Sequence, residues 1–251
     1  MGDALETILI TGAASGIGRA TAKRLSQRMQ VVIADRNGDA ARTLADELNR
    51  EGRSAIAVEV DVTQRTSVTA MMQTVSQSVG PVHALFSNAG INRRAPIAEI
   101  TETDWDLMMQ THVKGAFLTS QAMLPGMKER KRGAILMMSS DFAVLGMPGA
   151  AAYAAAKTAI YSLTKSLAMA FAADGIRVNA LGPGPIDTPL LRSGRSAEEW
   201  DRTHKKFVET LPMHRLGLPE EIAAVADFLL SDRSSYITGQ IVHPNGGQLT
   251  W

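Results

Sequence analysis

The chain has 251 residues, 26 basic and 25 acidic side chains, a formal charge of +1 and no cysteine. At 45% apolar and 20% charged it can bury a core and is not disordered. The missing cysteine excludes a disulfide framework, thiolate-ligated zinc and a thiol nucleophile, and the balanced charge gives no footprint for nucleic acid or an anionic membrane.

In chain order, residues 7–11 (TILIT) are a β-branched run that predicts a strand, followed by glycines and a helical pattern over 16–28. Residues 31–34 (VVIA) predict a second strand, and 40–50 a helix stopped by Gly52. A third strand falls at 54–60, a helix at 67–79 ended by Gly80-Pro81, and a fourth strand at 82–86. One long helix is expected over 104–127, with Thr101 as its N-cap. A fifth strand follows at 134–138 (AILMM), then the longest helical pattern at 151–173 and a sixth strand at 178–181. Residues 187–215 read as an irregular lid, 219–230 as a helix and 241–243 as a last short strand. The strand runs are continuously apolar rather than alternating, as in parallel sheets covered on both faces. Strand–helix–strand alternation predicts an α/β doubly wound three-layer sandwich with about seven parallel strands. No linker or repeat divides the chain, so residues 1–251 read as a single domain.

The N-terminus carries acids and no basic run ahead of an apolar one, so no secretory leader is expected. Met1-Gly2 lacks the Ser or Thr at position 6 that N-myristoylation wants, because Glu6 stands there. With no apolar stretch of membrane-spanning length, the chain reads as soluble and cytoplasmic.

Between the first strand and its helix lies Thr11-Gly12-Ala13-Ala14-Ser15-Gly16-Ile17-Gly18. Glycines there allow a tight turn and close backbone approach, and the helix N-terminus offers N–H groups and positive dipole to a pyrophosphate. Asp35 ends the second strand, 17 residues beyond Gly18. A carboxylate at that place accepts hydrogen bonds from both ribose hydroxyls and repels a 2′-phosphate, which favours NAD. Arg36 beside it could receive that phosphate, so NADP stays open. Asp61, after the third strand, suits either an adenine amino group or a turn, and Ser87-Asn88-Ala89-Gly90 after the fourth is small enough to lie against a cofactor.

Tyr153 and Lys157 are four residues apart, on one helix face. A neighbouring ammonium should pull the tyrosine pKa down from about 10 toward working pH, making it a proton donor and acceptor for an alcohol or carbonyl oxygen. Ser139-Ser140 ends the fifth strand, on the side where open α/β sheets bind ligands.

Taken together, TGAASGIG, Asp61-Val62, the Asn88-Ala89-Gly90 turn, Ser140, the YAAAK of Tyr153–Lys157 and the Asn179–Pro189 stretch (NALGPGPIDTP) resemble the short-chain dehydrogenase/reductase family across essentially the whole chain. The resemblance implies an oxidoreductase that interconverts a secondary alcohol and a ketone with NAD. It makes Tyr153 the general acid/base, Ser140 the hydroxyl that binds the substrate oxygen, and Lys157 the group that binds the nicotinamide ribose and lowers the Tyr153 pKa. It selects Ser140 over Ser139 by its distance of thirteen residues from Tyr153. It places Gly12, Ser15, Gly16, Ile17, Gly18, Asp35, Arg36, Asp61, Val62, Asn88, Ala89, Gly90, Pro183, Gly184, Ile186 and Thr188 against the cofactor, with Ile186 and Thr188 at the carboxamide. Enoyl reductases of this kind usually lengthen the tyrosine–lysine spacing, so four residues favours carbonyl chemistry. A non-catalytic dinucleotide-binding protein is the contrasting reading, which an intact Ser140, Tyr153 and Lys157 opposes.

The chain departs from the family where Asn is usual, in His112-Val113-Lys114-Gly115. An imidazole at His112 is expected either to relay protons, adding an ionisation near its own pKa, or simply to pack a helix kink. Asp141, directly after Ser140, could bind a substrate hydroxyl or amine, but an acid so placed more often caps a turn, which is the expectation. The substrate pocket is expected from residues 90–94, 141–150 and the lid, whose mixed charges read as solvated. No histidine spacing implies a metal. By resemblance the assembly is a homotetramer, through the helices at 151–173 and 219–230.

Overall fold

The computed structural model describes residues 5–250, so Met1-Gly2 lies outside the described residues. Seven strands, β1 (Thr7–Thr11), β2 (Gln30–Asp35), β3 (Ala55–Glu59), β4 (Val82–Ser87), β5 (Gly133–Met138), β6 (Ile176–Leu181) and β7 (Ile241–Val242), form one sheet ordered β3-β2-β1-β4-β5-β6-β7. Every pairing is parallel. This is the Rossmann-type α/β sandwich the alternation implied.

The strands are apolar throughout because successive side chains feed opposite layers. Ile8 and Ile10 enter a cluster with Leu25 of α1 (Gly16–Leu25), Leu44 and Leu48 of α2 (Gly38–Arg50) and Leu229 of the helix at 219–230. Leu9, between them, enters the opposite cluster with Met71 and Val75 of α3 (Arg65–Val79). That second layer continues through residues that turn out to form an interrupted helix. Thr101 caps α4 (Glu102–Met109), accepting from the Asp104 N–H at 3.1 Å, as expected.

The single long helix expected over 104–127 is not what forms. After α4 the chain makes one wider π turn at Gln110–Lys114 before α5 (Gly115–Glu129) begins. The extra residue of a π turn breaks the helical register, and such turns gather at functional sites. Here it carries His112, which is buried, inward toward Gly90.

A short α6 (Phe142–Leu145) follows β5, and α7 (Ala151–Phe171) packs behind it. The lid at 187–215 is also more ordered than its composition suggested. It contains α8 (Pro189–Arg192) and a 14-residue α9 (Ala197–Thr210), started by a capping box between Ser196 and Glu199. Its charges answer one another locally: Arg192 makes a two-pronged pair with Asp187 and stacks over Trp200. α10 (Pro219–Leu230) completes the first layer and packs on α1. Between them, Asp227 receives Arg24, Arg28 and Arg233. No helix among the described residues is long and apolar enough to cross a membrane.

The sheet order reverses direction between β1 and β4. The loops leaving their C-terminal ends turn to opposite sides and open a crevice, where ligands of open α/β sheets bind.

Candidate active site

The crevice is a cleft of about 300 Å³. Along one wall run Gly12, Ser15, Gly16 and Ile17, with Asp35, Arg36, Asp61 and Val62 at that end. Asn88, Ala89 and Gly90 also line it, Thr188 comes against Gly16, and Ser140, Tyr153, Lys157, Pro183, Gly184 and Ile186 line the rest. Gly18 is buried beneath the loop rather than lining it. A Cβ on Gly18 would lie 2.2 Å from the Gly12 carbonyl oxygen, so only glycine lets helix and loop touch.

These residues fit a dinucleotide on the structure's own terms. Gly12 and Gly16 adopt φ of +63° and +51°, left-handed values that other residues avoid. Ser15, the N-cap of α1, spends no side-chain bond on the helix, and the first turn holds no acid. The leading N–H groups of α1 are thereby left without a carboxylate competitor for an anion.

The loop is braced by residues whose role was not legible as bracing. Asn88 donates from its amide to the Thr11 and Gly12 carbonyls at 3.1 and 3.0 Å. The Thr11 hydroxyl receives the Asn88 and Ala89 N–H groups, both at 3.1 Å. Asp35 accepts from the Ala14 and Asn37 N–H groups at 2.9 Å each. Its carboxylate is held by backbone and still borders the cleft. Asp61 accepts from the Thr63 N–H and hydroxyl at 2.9 and 2.7 Å, the turn role, and borders the cleft as well.

At the other end, the two adjacent serines separate by partner. Ser139 donates its hydroxyl to the Lys157 carbonyl at 2.7 Å, tying β5 to α7. Ser140 instead sits with its hydroxyl between Asp141 and the Phe142 N–H, at 3.1 and 3.2 Å. Asp141 does not cap α6 with its side chain, as the sequence suggested; it is 1% exposed and faces Ser140.

The Tyr153 pKa moves opposite to expectation. Burial pushes the phenol up to about 12, with Ser140 opposing and the Asp141 charge adding to the rise. The reason is where the ammonium goes. Lys157 is buried, donates to the Met138 carbonyl at 2.7 Å, and lies 5.4 Å from the centre of the Tyr153 ring rather than at its hydroxyl. Burial in turn lowers Lys157 to about 7. His112 is edge-on to Tyr153, with ring centres 5.4 Å apart. Its Nε2 meets the Ile91 carbonyl at 2.8 Å, while Nδ1 is buried with no hydrogen-bond partner. Burial, then the Lys157 charge, holds its pKa well below 6.5. The ring is therefore neutral at neutral pH.

The family model described as enoyl-(acyl carrier protein) reductase matches residues 12–248. A 3-oxoacyl-(acyl-carrier-protein) reductase of Thermotoga maritima is 37% identical over 244 residues, covering 95% of this chain and 96% of that one. The chain belongs to the short-chain dehydrogenase/reductase family. It is similar too to the oxidoreductase UcpA of Salmonella typhimurium, at 37% identity over 93% of this chain and 90% of that one. Among solved structures, a 3-ketoacyl-(acyl-carrier-protein) reductase of Brucella melitensis complexed with NADH superposes with a TM-score of 0.88 and 33% identity. It covers 97% of this chain and 98% of that one.

In this member of the family, all three segments expected to build the substrate end reach the cleft. Ile91, Asn92 and Arg94 come from the first, Phe142 and Met147 from the second, and Leu190, Leu191 and Phe207 from the lid. The lid's contribution is apolar, not charged. Met138 and Thr111 also line the cleft and escaped the sequence reading, since neither belongs to a motif and only the fold brings them there.

Proposed function

We propose that this family member is an NAD(H)-dependent oxidoreductase that interconverts a ketone and a secondary alcohol, with Tyr153 as general acid/base. The observation that carries the reading is the convergence of the Ser140 hydroxyl, the Tyr153 phenol and the buried Lys157 on the cleft that holds the glycine loop. When bound, a reduced nicotinamide dinucleotide supplies a hydride to the carbonyl carbon. Tyr153 gives its proton to the carbonyl oxygen, and Ser140 hydrogen-bonds that oxygen. Lys157 packs over the tyrosine ring with its amino group held by the Met138 carbonyl, and so fixes where the phenol stands. A phenol protonated at neutral pH suits the reducing direction, in which it acts as acid toward an oxygen becoming an alkoxide. His112 supports the site as a neutral ring that packs on Tyr153 and holds the Ile91 segment.

Ser15, Gly16 and Ile17 would hold the pyrophosphate at α1, Asp35 the adenosine ribose, Asp61 and Val62 the adenine, and Ile186 and Thr188 the carboxamide. The relatives named for 3-oxoacyl reduction make a 3-oxoacyl thioester the first ketone to try. The four-residue spacing of Tyr153 and Lys157 supports a carbonyl rather than an enoyl substrate, although the family description carries the enoyl name. The chain is further read as one domain and as a homotetramer built on α7 and α10, where the outward Met169 and Phe228 leave apolar surface to cover.

Cofactor choice tests the Asp35 assignment. NADH should exceed NADPH in kcat/KM by about tenfold or more, equal to about 1.4 kcal/mol of discrimination. Asp35→Ser should shrink that ratio toward one, since Arg36 remains to meet a 2′-phosphate. A wild-type preference for NADPH in side-by-side absorbance assays would defeat the assignment.

A further inference from the structure

Asp141 is buried and does not line the cleft, yet it touches the Ser140 hydroxyl, which does. Its Oδ1 lies 3.1 Å from Ser140 Oγ, and its Oδ2 is buried with no hydrogen-bond partner. No cation is among the groups that perturb it; burial, which disfavours the charge, outweighs the Ser140 hydroxyl and the Phe142 and Asp141 N–H groups, which favour it. Lys157, the buried lysine of the site, gives one of its donors to the Met138 carbonyl and is not among the groups that perturb Asp141. A carboxylate so placed is poorly compensated, and protonation relieves it.

The hydrogen-bond capacity of Ser140 then becomes the issue. A serine hydroxyl has one proton and two lone pairs. One lone pair is taken by the Phe142 N–H at 3.2 Å. If Asp141 is ionised, it takes the serine proton, and Ser140 can offer Tyr153 and the cleft only its remaining lone pair. If Asp141 is protonated, it donates to the second lone pair, and the serine proton is free to point into the cleft. A carbonyl oxygen needs a donor; an alcohol hydroxyl can use an acceptor.

We propose that Asp141 is a positioning residue that sets the hydrogen-bonding polarity of Ser140, making it a donor to a ketone when the carboxyl is protonated and an acceptor from an alcohol when it is ionised. This rests on the assignment of Ser140 as the hydroxyl that binds the substrate oxygen.

Burial brings the carboxyl into a useful range, up to about 6. The other groups facing this region titrate elsewhere. From α7, the Tyr153 and Tyr161 hydroxyls are both pushed up to about 12, by burial first and then by the Asp141 charge. Tyr161 is bonded to His243 at 2.7 Å, whose pKa burial lowers, and His112, beyond Tyr153, lies well below 6.5. Lys157 falls at about 7 and is the neighbour that titrates closest. α6 brings no charge, and the loop after β6 meets Asp141 through the Pro183 carbonyl, which accepts its N–H at 3.1 Å.

The test is the pH profile of kcat/KM for ketone reduction from pH 5 to 8, in wild type, Asp141→Asn and Ser140→Ala. Wild type should fall by about tenfold or more as Asp141 ionises, on the scale of losing one preorganised donor to the substrate oxygen. Asp141→Asn cannot titrate and should lose the lower inflection while keeping that of Lys157. The residual rate of Ser140→Ala should also lack the lower inflection, because Asp141 acts through that hydroxyl. An unchanged lower inflection in Asp141→Asn overturns the proposal. Difference infrared spectra, wild type minus Asp141→Asn, give a readout free of turnover. A carboxylic-acid band at pH 5 that fades by pH 7 and moves in Ser140→Ala supports the proposal; its absence at pH 5 overturns it. An enzyme that reduces no ketone at any pH defeats the functional reading instead, and the infrared band then decides Asp141 separately.

Discussion

Tyr153→Phe is expected to lower kcat/KM for ketone reduction by about 10³-fold, within the usual 10²–10⁴ range for a lost general acid. The substitution removes one oxygen and leaves the ring that packs edge-on against His112, so the site should keep its shape. NADH binding, followed by quenching of protein fluorescence, should stay within about twofold of wild type. That pair of results separates an enzyme from a dinucleotide-binding protein on the same scaffold. The high phenol pKa adds a directional expectation. In the unliganded protein Tyr153 holds its proton across the neutral range, so reduction should not require its prior ionisation.

Lys157→Met is expected to abolish most turnover and yet make the protein more stable at neutral pH. Lys157 is 2% exposed and burial brings its pKa from 10.5 to about 7. Between those values the unfolded chain holds the proton and the folded one does not, so wild-type stability rises with pH there. Below about 7 the folded protein carries the full penalty of a buried ammonium, about 5 kcal/mol at the conversion of about 1.4 kcal/mol per pH unit. Methionine removes that penalty but leaves the Met138 carbonyl without its donor, which costs about 1–3 kcal/mol. The net gain should be about 2–4 kcal/mol at pH 6 and should turn into a small loss as pH approaches 10, where the penalty is gone and the unpaired Met138 carbonyl remains. Urea unfolding at the two pH values checks it. A destabilised variant at pH 6 would show that the ammonium is better compensated than its surroundings suggest.

Much of this was legible in the chain because its signals are local. The glycine loop, Asp35 at a strand end and the four-residue spacing of Tyr153 and Lys157 each depend on a few neighbouring residues, and the sheet places them as expected. What escaped depends on packing. Nothing near His112 in sequence announces a π turn, because the turn answers to Gly90 and Tyr153 across the fold. The rise of the Tyr153 pKa was missed because helical spacing sets the distance between two side chains, not which acceptor the ammonium chooses. Lys157 chose the Met138 carbonyl. The lid looked irregular from its Pro, Ser and Arg content, yet Ser196 and Glu199 already spelled the capping box that starts α9. Asp141 reads as a turn acid in the sequence because its partner, Ser140, is its immediate neighbour, and only burial shows how much that contact matters.

In the proposed reading this cleft reduces a carbonyl with NADH, using the Tyr153 proton. The most direct measurement is a panel of ketones, a 3-oxoacyl thioester among them, assayed for NADH consumption and alcohol formation with wild type and Tyr153→Phe in parallel. Wild type should form one alcohol per NADH consumed, and the variant almost none. NADH binding without turnover of any carbonyl, or turnover that survives in Tyr153→Phe, would contradict it.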